Sequence, residues 1–159
     1  MISAADFDDH ALARFLREHL EDLAPTAPAE SRHALDLDAL RGSDVRMWVA
    51  RDGSQVIGTV ALVAIDAGHE ELKSMRTAPE RRGEGIASRL LAHALDDARA
   101  RGVARVSLET GSMDFFAPAR ALYARAGFVP CPAFGPYADD PHSVYMTKAI
   151  ERRRAMQDD

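Results

Sequence analysis

The sequence predicts a single α/β domain with a mixed, mostly antiparallel central sheet flanked by helices. Three observations predict it. Helical apolar periodicity over 8–23 and 85–101 brackets a β-rich stretch over 45–77. The turn signals Asp52-Gly53 and Asp66-Ala67-Gly68 join neighbouring strands tightly enough for an antiparallel meander. Helices then alternate with strands, which brings parallel pairing where they cross over.

The first helix spans about Asp8 to Leu23, because Leu12, Phe15, Leu16, Leu20 and Leu23 draw one apolar stripe, with Asp6 or Asp9 as its cap. Pro25 and Pro28 break it, and a short second helix follows from Asp36 to Leu40, ended by Gly42. Strands at Val45–Arg51, Gln55–Ile65 and Glu70–Thr77 form the meander. The helix over Gly85–Arg101 buries Ala87, Leu90, Leu91, Ala94, Leu95 and Ala98, carries Arg99 and Arg101 in its last turn, and is closed by Gly102. Then come a strand (Val103–Thr110), a helix (Pro118–Ala126) closed by Gly127, a strand (Phe128–Cys131), a loop over 132–142 and a last strand (Ser143–Ile150). Residues 1–150 thus form the domain, and 151–159 a charged tail that frays.

Composition narrows the function. A chain of 159 residues is one domain's worth and can bury its own core. Twenty basic against 25 acidic residues, a net charge of -5 and a pI near 5.7 speak against nucleic-acid or anionic-membrane partners. The lone Cys131 forms no internal disulfide, and the six histidines lack metal-ligand spacing, so no metal is expected. No leader pattern opens the sequence and no apolar run is long enough for a membrane span, so a cytoplasmic protein is expected.

The chemistry sits where the strand over 70–77 runs into Pro79, a glycine-containing loop and a helix. Gly83 and Gly85 let the backbone approach a ligand, and the helix start adds unpaired N–H donors and a positive dipole end. Together they make an anion cradle suited to a pyrophosphate, with Arg81 and Arg82 beside it. A plain strand-to-helix turn fits the two glycines as well. The dinucleotide fingerprint and the P-loop fit worse: Ser88 stands where the former wants a third small residue, and Gly-Lys-Ser/Thr is absent.

Arg82-Gly83-Glu84-Gly85-Ile86-Ala87, after a strand and a proline, resembles the acetyl-CoA signature of the GCN5-related N-acetyltransferase (GNAT) superfamily. Ala119 to Phe128, with Leu122, Tyr123 and Gly127, resembles that family's later helix and strand. The segments Glu71–Thr77 and Leu108–Met113 are similar to a subgroup of small bacterial members, the YsnE-like proteins. One position departs: many members carry Asn seven residues before the tyrosine, where this chain has Phe116.

The resemblance implies a GNAT-type fold and an acyl-CoA-dependent N-acetyltransferase, with acetyl-CoA as cosubstrate. The acceptor would be a primary amine of a small molecule, attacked directly in a ternary complex. A protein or peptide amine, or a non-catalytic acyl-CoA-binding module, are the alternatives. Backbone groups of Met75, Arg76 and Thr77 would meet the pantetheine arm, and Arg82, Gly83, Glu84, Gly85, Ile86, Ala87 and Ser88 the pyrophosphate. Tyr123 would protonate the leaving thiolate; a phenol is protonated at pH 7 and can donate. A carboxylate must free the amine of its proton, and the resemblance points to Glu71, with Glu109 on the neighbouring strand as the other candidate. Lys73 and Arg76 are expected on opposite faces of one strand, as an acceptor-carboxylate clamp or as surface charges. Cys131 reads as a small buried cysteine rather than an acyl carrier, and His33 as an exposed loop residue. The acceptor pocket would be shaped by 24–42 and 132–142, which hold Glu30, His33, Asp36, Asp38, Phe134, Tyr137, Asp139 and Asp140. A homodimer stays open.

Overall fold

The computed structural model describes residues 1–23, 42 and 44–151. The breaking prolines, the helix expected at Asp36–Leu40, His33 and the tail beyond 151 lie outside them.

The elements run β1 (Ile2–Ala4), α1 (His10–Leu23), β2 (Val45–Asp52), β3 (Gln55–Asp66), β4 (His69–Thr77), α2 (Ile86–Ala100), β5 (Arg105–Gly111), α3 (Ala117–Arg125), β6 (Val129–Pro130) and β7 (Ser143–Ala149). Single 3-10 turns at Pro79–Arg81 and Asp114–Phe116 lead into α2 and α3. The sheet order is β1-β2-β3-β4-β5-β7-β6. Among the described residues only β4 and β5 pair in parallel, because α2 carries the chain across between them. The edge strand β1 has no sequence signature; its three residues are too few to show a period.

Asp9 caps α1, its side chain accepting from the N–H of Ala11 at 2.9 Å, while Asp6 accepts from Asp8 one turn earlier. The α1 stripe buries Leu12, Phe15 and Leu16 against Met47, Val49 and Ala61 on one face of the sheet. On the other face α2 buries Leu90, Leu91, Ala94, Leu95 and Ala98 against Trp48, Val60, Leu62, Leu72 and Val106. Ala87, expected on that buried stripe, is half-buried instead and turns towards the cleft described below. At Gly58 a Cβ would meet Leu90 Cδ1 at 2.7 Å and Ile86 Cγ2 at 2.8 Å, so the bare backbone is what lets the start of α2 lie this close to β3.

Two irregularities in the sheet position the site. Opposite β4, Thr59 pairs with Arg76 and Ala61 with Lys73, so β4 spends three residues where β3 spends two. The extra residue is a β-bulge at Ser74, whose φ of 54° is left-handed, and the buried Thr59 hydroxyl donates to the Ser74 carbonyl at 2.8 Å. The bulge corrects the expected placement of Lys73 and Arg76. Their partners lie two apart on β3, so both side chains point to the α1 face. The second irregularity is a parting. The β4–β5 ladder runs from His69↔Arg105 to Leu72↔Leu108 and stops, leaving Lys73–Thr77 and Glu109–Gly111 unpaired with each other.

Candidate active site

A cleft of about 510 Å³ opens at this parting. Its walls are Met75–Thr77 on β4, the loop and first turn of α2, the aromatic pair Phe115 and Phe116, and the α3 face bearing Ala119, Leu122 and Arg125; His19 and Asp22 of α1 join Arg76 along it.

The loop is built from backbone geometry. Gly83 and Gly85 hold φ of 83° and 79°, where a side chain would be strained. Gly85 caps α2 with no side-chain bond and no carboxylate in the first turn, so the N–H groups of Ile86, Ala87 and Ser88 keep their donors and the positive dipole end unanswered. Arg81 braces the loop: Nε and Nη2 donate to the Glu84 carboxylate at 2.8 and 3.0 Å, and Nη1 to Asp52 at 3.0 Å. Arg81 is thereby committed to protein carboxylates, which hold its pKa up and lower that of Glu84. Arg82 and Arg125 line the cleft without a carboxylate partner among the described residues. Of the ten residues expected around the cofactor, nine line the cleft; Glu84 does not, because its side chain faces Arg81.

On the α1 face of the sheet a polar cluster flanks the parting. Glu71 pairs with Ser107 across the ladder, and Glu109 lies two residues on and pairs with Tyr145, so both carboxylates share this face. Glu71 is buried, and its Oε2 accepts from the Tyr137 hydroxyl at 2.5 Å and from Lys73 Nζ at 3.2 Å. Lys73 Nζ also donates to the Tyr137 oxygen at 2.7 Å. Lys73 and Arg76 are therefore not surface charges: their side chains are 10% and 6% exposed. Phe134, Tyr137 and Tyr145 form a ring cluster over these groups, with centroids 5.3–5.8 Å apart. Burial pushes the Glu109 carboxyl above the usual glutamate range; Ser143 and the Lys73 charge oppose this, and the Glu71 charge adds to it.

Tyr123 is buried in the core beside Leu122, its ring edge-on to Phe128 at 5.9 Å, and it is not among the residues lining the cleft. Burial, with a smaller contribution from the Glu109 charge, raises its pKa, so the phenol keeps its proton across the working range. Cys131 is half-buried, its pKa raised by burial, and it too lies off the cleft. Sequence reasoning missed His19, Asp22, Phe115 and Arg125. Arg125 had a signal: Pro118, Ala119, Leu122 and Arg125 recur at helical spacing and share one face.

The arrangement suits an extended ligand with an anionic middle. Left-handed glycines, unanswered helix-start donors and two arginines with no carboxylate partner among the described residues would hold a diphosphate, and the free edge of Met75–Thr77 beyond the parting offers backbone groups to an amide-bearing arm. The residues fit an acyl-CoA.

Comparison with known proteins agrees. The model of the acetyltransferase (GNAT) family matches residues 11–128. The chain is 42% identical over 149 residues to the N-acetyltransferase YsnE of Bacillus subtilis, covering 94% of this chain and 99% of that protein. It is 41% identical over 142 residues to the IAA acetyltransferase of Azospirillum brasilense, covering 88% of this chain and 91% of that protein. A crystal structure from Klebsiella pneumoniae, described as an acyl-CoA N-acyltransferase, aligns with a TM-score of 0.77 at 28% identity over 95% of this chain and 97% of that one.

Proposed function

The chain belongs to the acetyltransferase (GNAT) family and is an acyl-CoA-dependent N-acetyltransferase; we propose that it serves the primary amine of a small molecule by direct attack in a ternary complex. The observation that carries this reading is the parting beyond Leu72↔Leu108. Met75–Thr77 on one strand line the cleft, while Glu109 on the other stands on the face that bears the second carboxylate.

Bound acetyl-CoA supplies the activated acyl group and a thiolate that must be protonated. Arg82, Gly83, Gly85 and the N–H groups of Ile86, Ala87 and Ser88 would hold its diphosphate, with Glu84 bracing the loop through Arg81. The two carboxylates divide their work. Glu71 is already engaged by Tyr137 and Lys73 and orients that cluster. Glu109, whose carboxyl burial pushes up, is the base that takes the proton of the incoming ammonium. Tyr123 keeps its proton, as the acid for the departing thiolate must, but its side chain is buried off the cleft, so this role rests on the motif match of Ala119 to Phe128. Cys131, half-buried and off the cleft, supports no covalent relay.

Free-thiol release from acetyl-CoA, followed with a panel of small primary amines and of peptides with free N-termini and lysines, tests the reading. Turnover with small amines is expected. Turnover confined to peptides or proteins overturns it.

A further inference from the structure

We propose that the acceptor carries a carboxylate beside its amine, and that Arg76 binds that carboxylate; the proposal rests on the small-amine reading above. Arg76 lines the cleft, yet its side chain is only 6% exposed. Its polar contacts all fall on one nitrogen: Nη1 donates to Asp22 Oδ2 at 2.8 Å and lies 3.5 Å from His19 Nδ1. The Nε–H is buried with no partner, and no hydrogen bond reaches Nη2 among the described residues. A guanidinium with a structural role alone has its donors satisfied, because a buried unpaired N–H is costly. What remains open is the Nε–Nη2 edge, the planar fork that matches the two oxygens of a carboxylate.

The surroundings favour an anion there. Asp22 is half exposed and answers only part of the charge. The guanidinium carbon lies 5.1 Å from the Phe15 ring centroid, a cation–π contact that leaves the Nε–Nη2 edge without an acceptor. His19 is held uncharged by burial and by Arg76, its pKa pushed down to about 4, so it adds no competing cation. The bulge at Ser74 turns Arg76 to the face that also bears Glu71 and Glu109, so an anion-binding and two cation-binding side chains stand on the same side of the sheet. Amino acids have that charge pattern.

The test compares α-amino acids, β-alanine and 4-aminobutyrate with the same amines lacking the carboxylate, by kcat/KM in thiol release. The wild-type protein should favour the carboxylate-bearing member of at least one pair by about ten- to a hundredfold, the worth of charged hydrogen bonds. In Arg76→Gln and Arg76→Lys that ratio should collapse towards one. Equal rates for both members of every pair in the wild type overturn the carboxylate subsite and leave the small-amine reading standing. A preference that survives in both variants overturns the role of Arg76. Turnover of peptides alone overturns the acceptor reading and this proposal with it. The wild-type comparison needs no variant to fold.

Discussion

At the scale of single residues, burial sets the chemistry. Tyr123 offers one proton and has a ring packed on Phe128. Tyr123→Phe keeps the packing and removes the proton, so kcat should fall about 10²–10⁴-fold, as losses of general acid–base catalysis do, with little change in acetyl-CoA affinity. A near-wild-type rate in steady-state assays, with chemistry rate-limiting, would make Tyr123 a packing residue only. Glu109 makes a second prediction. Its folded pKa lies above the unfolded one, so it binds its proton more tightly when folded. Its contribution to stability is fully present below the unfolded value, about 4.3, and is lost as pH rises through the folded value. At neutral pH the ionised, partly desolvated carboxylate is a liability. Glu109→Gln should therefore raise Tm at neutral pH relative to wild type, lose that advantage in acid, and erase the acid limb of the pH–rate profile. Thermal melts across pH check the first part, and a variant less stable than wild type at neutral pH would contradict it.

At the scale of elements, the turn before α2 and the bulge in β4 do most of the positioning. If the cradle holds the diphosphate, acetyl-CoA should raise Tm by mass action, and Gly85→Leu should abolish the shift, because a leucine strains a φ of 79° and blocks close approach. Equal shifts in both proteins would leave the loop a plain turn. The cradle was legible in the sequence because its geometry is written in residue types: glycines with positive φ and a helical period that begins just after them. The α1 and α2 stripes were legible for the same reason. The bulge was not. A single extra residue at Ser74 leaves no mark on composition, yet it reverses the side-chain parity of everything after it, and so Lys73 and Arg76 were expected on opposite faces. The edge strand Ile2–Ala4 escaped because its register with β2 is a tertiary fact.

At the scale of the whole molecule, two helical layers close on a sheet that is continuous below Leu72↔Leu108 and parted above it. The order of elements gave this sheet in outline, and the motifs marked the cleft. The polar cluster behind the parting was only half legible. Glu71 and Glu109 stood out as strand carboxylates, but the bonds that tie Glu71 to Tyr137, 66 residues away, come from the loop over 132–142 folding onto the sheet. Those bonds engage Glu71 at one oxygen, and the lone cysteine is half-buried off the cleft, which supports the proposed transfer within one complex. Initial rates measured over a grid of acetyl-CoA and amine concentrations test that most directly. Intersecting double-reciprocal lines, with no acetylated protein trapped when the amine is withheld, are the expected result. Parallel lines together with an acetyl group on Cys131 would contradict direct transfer.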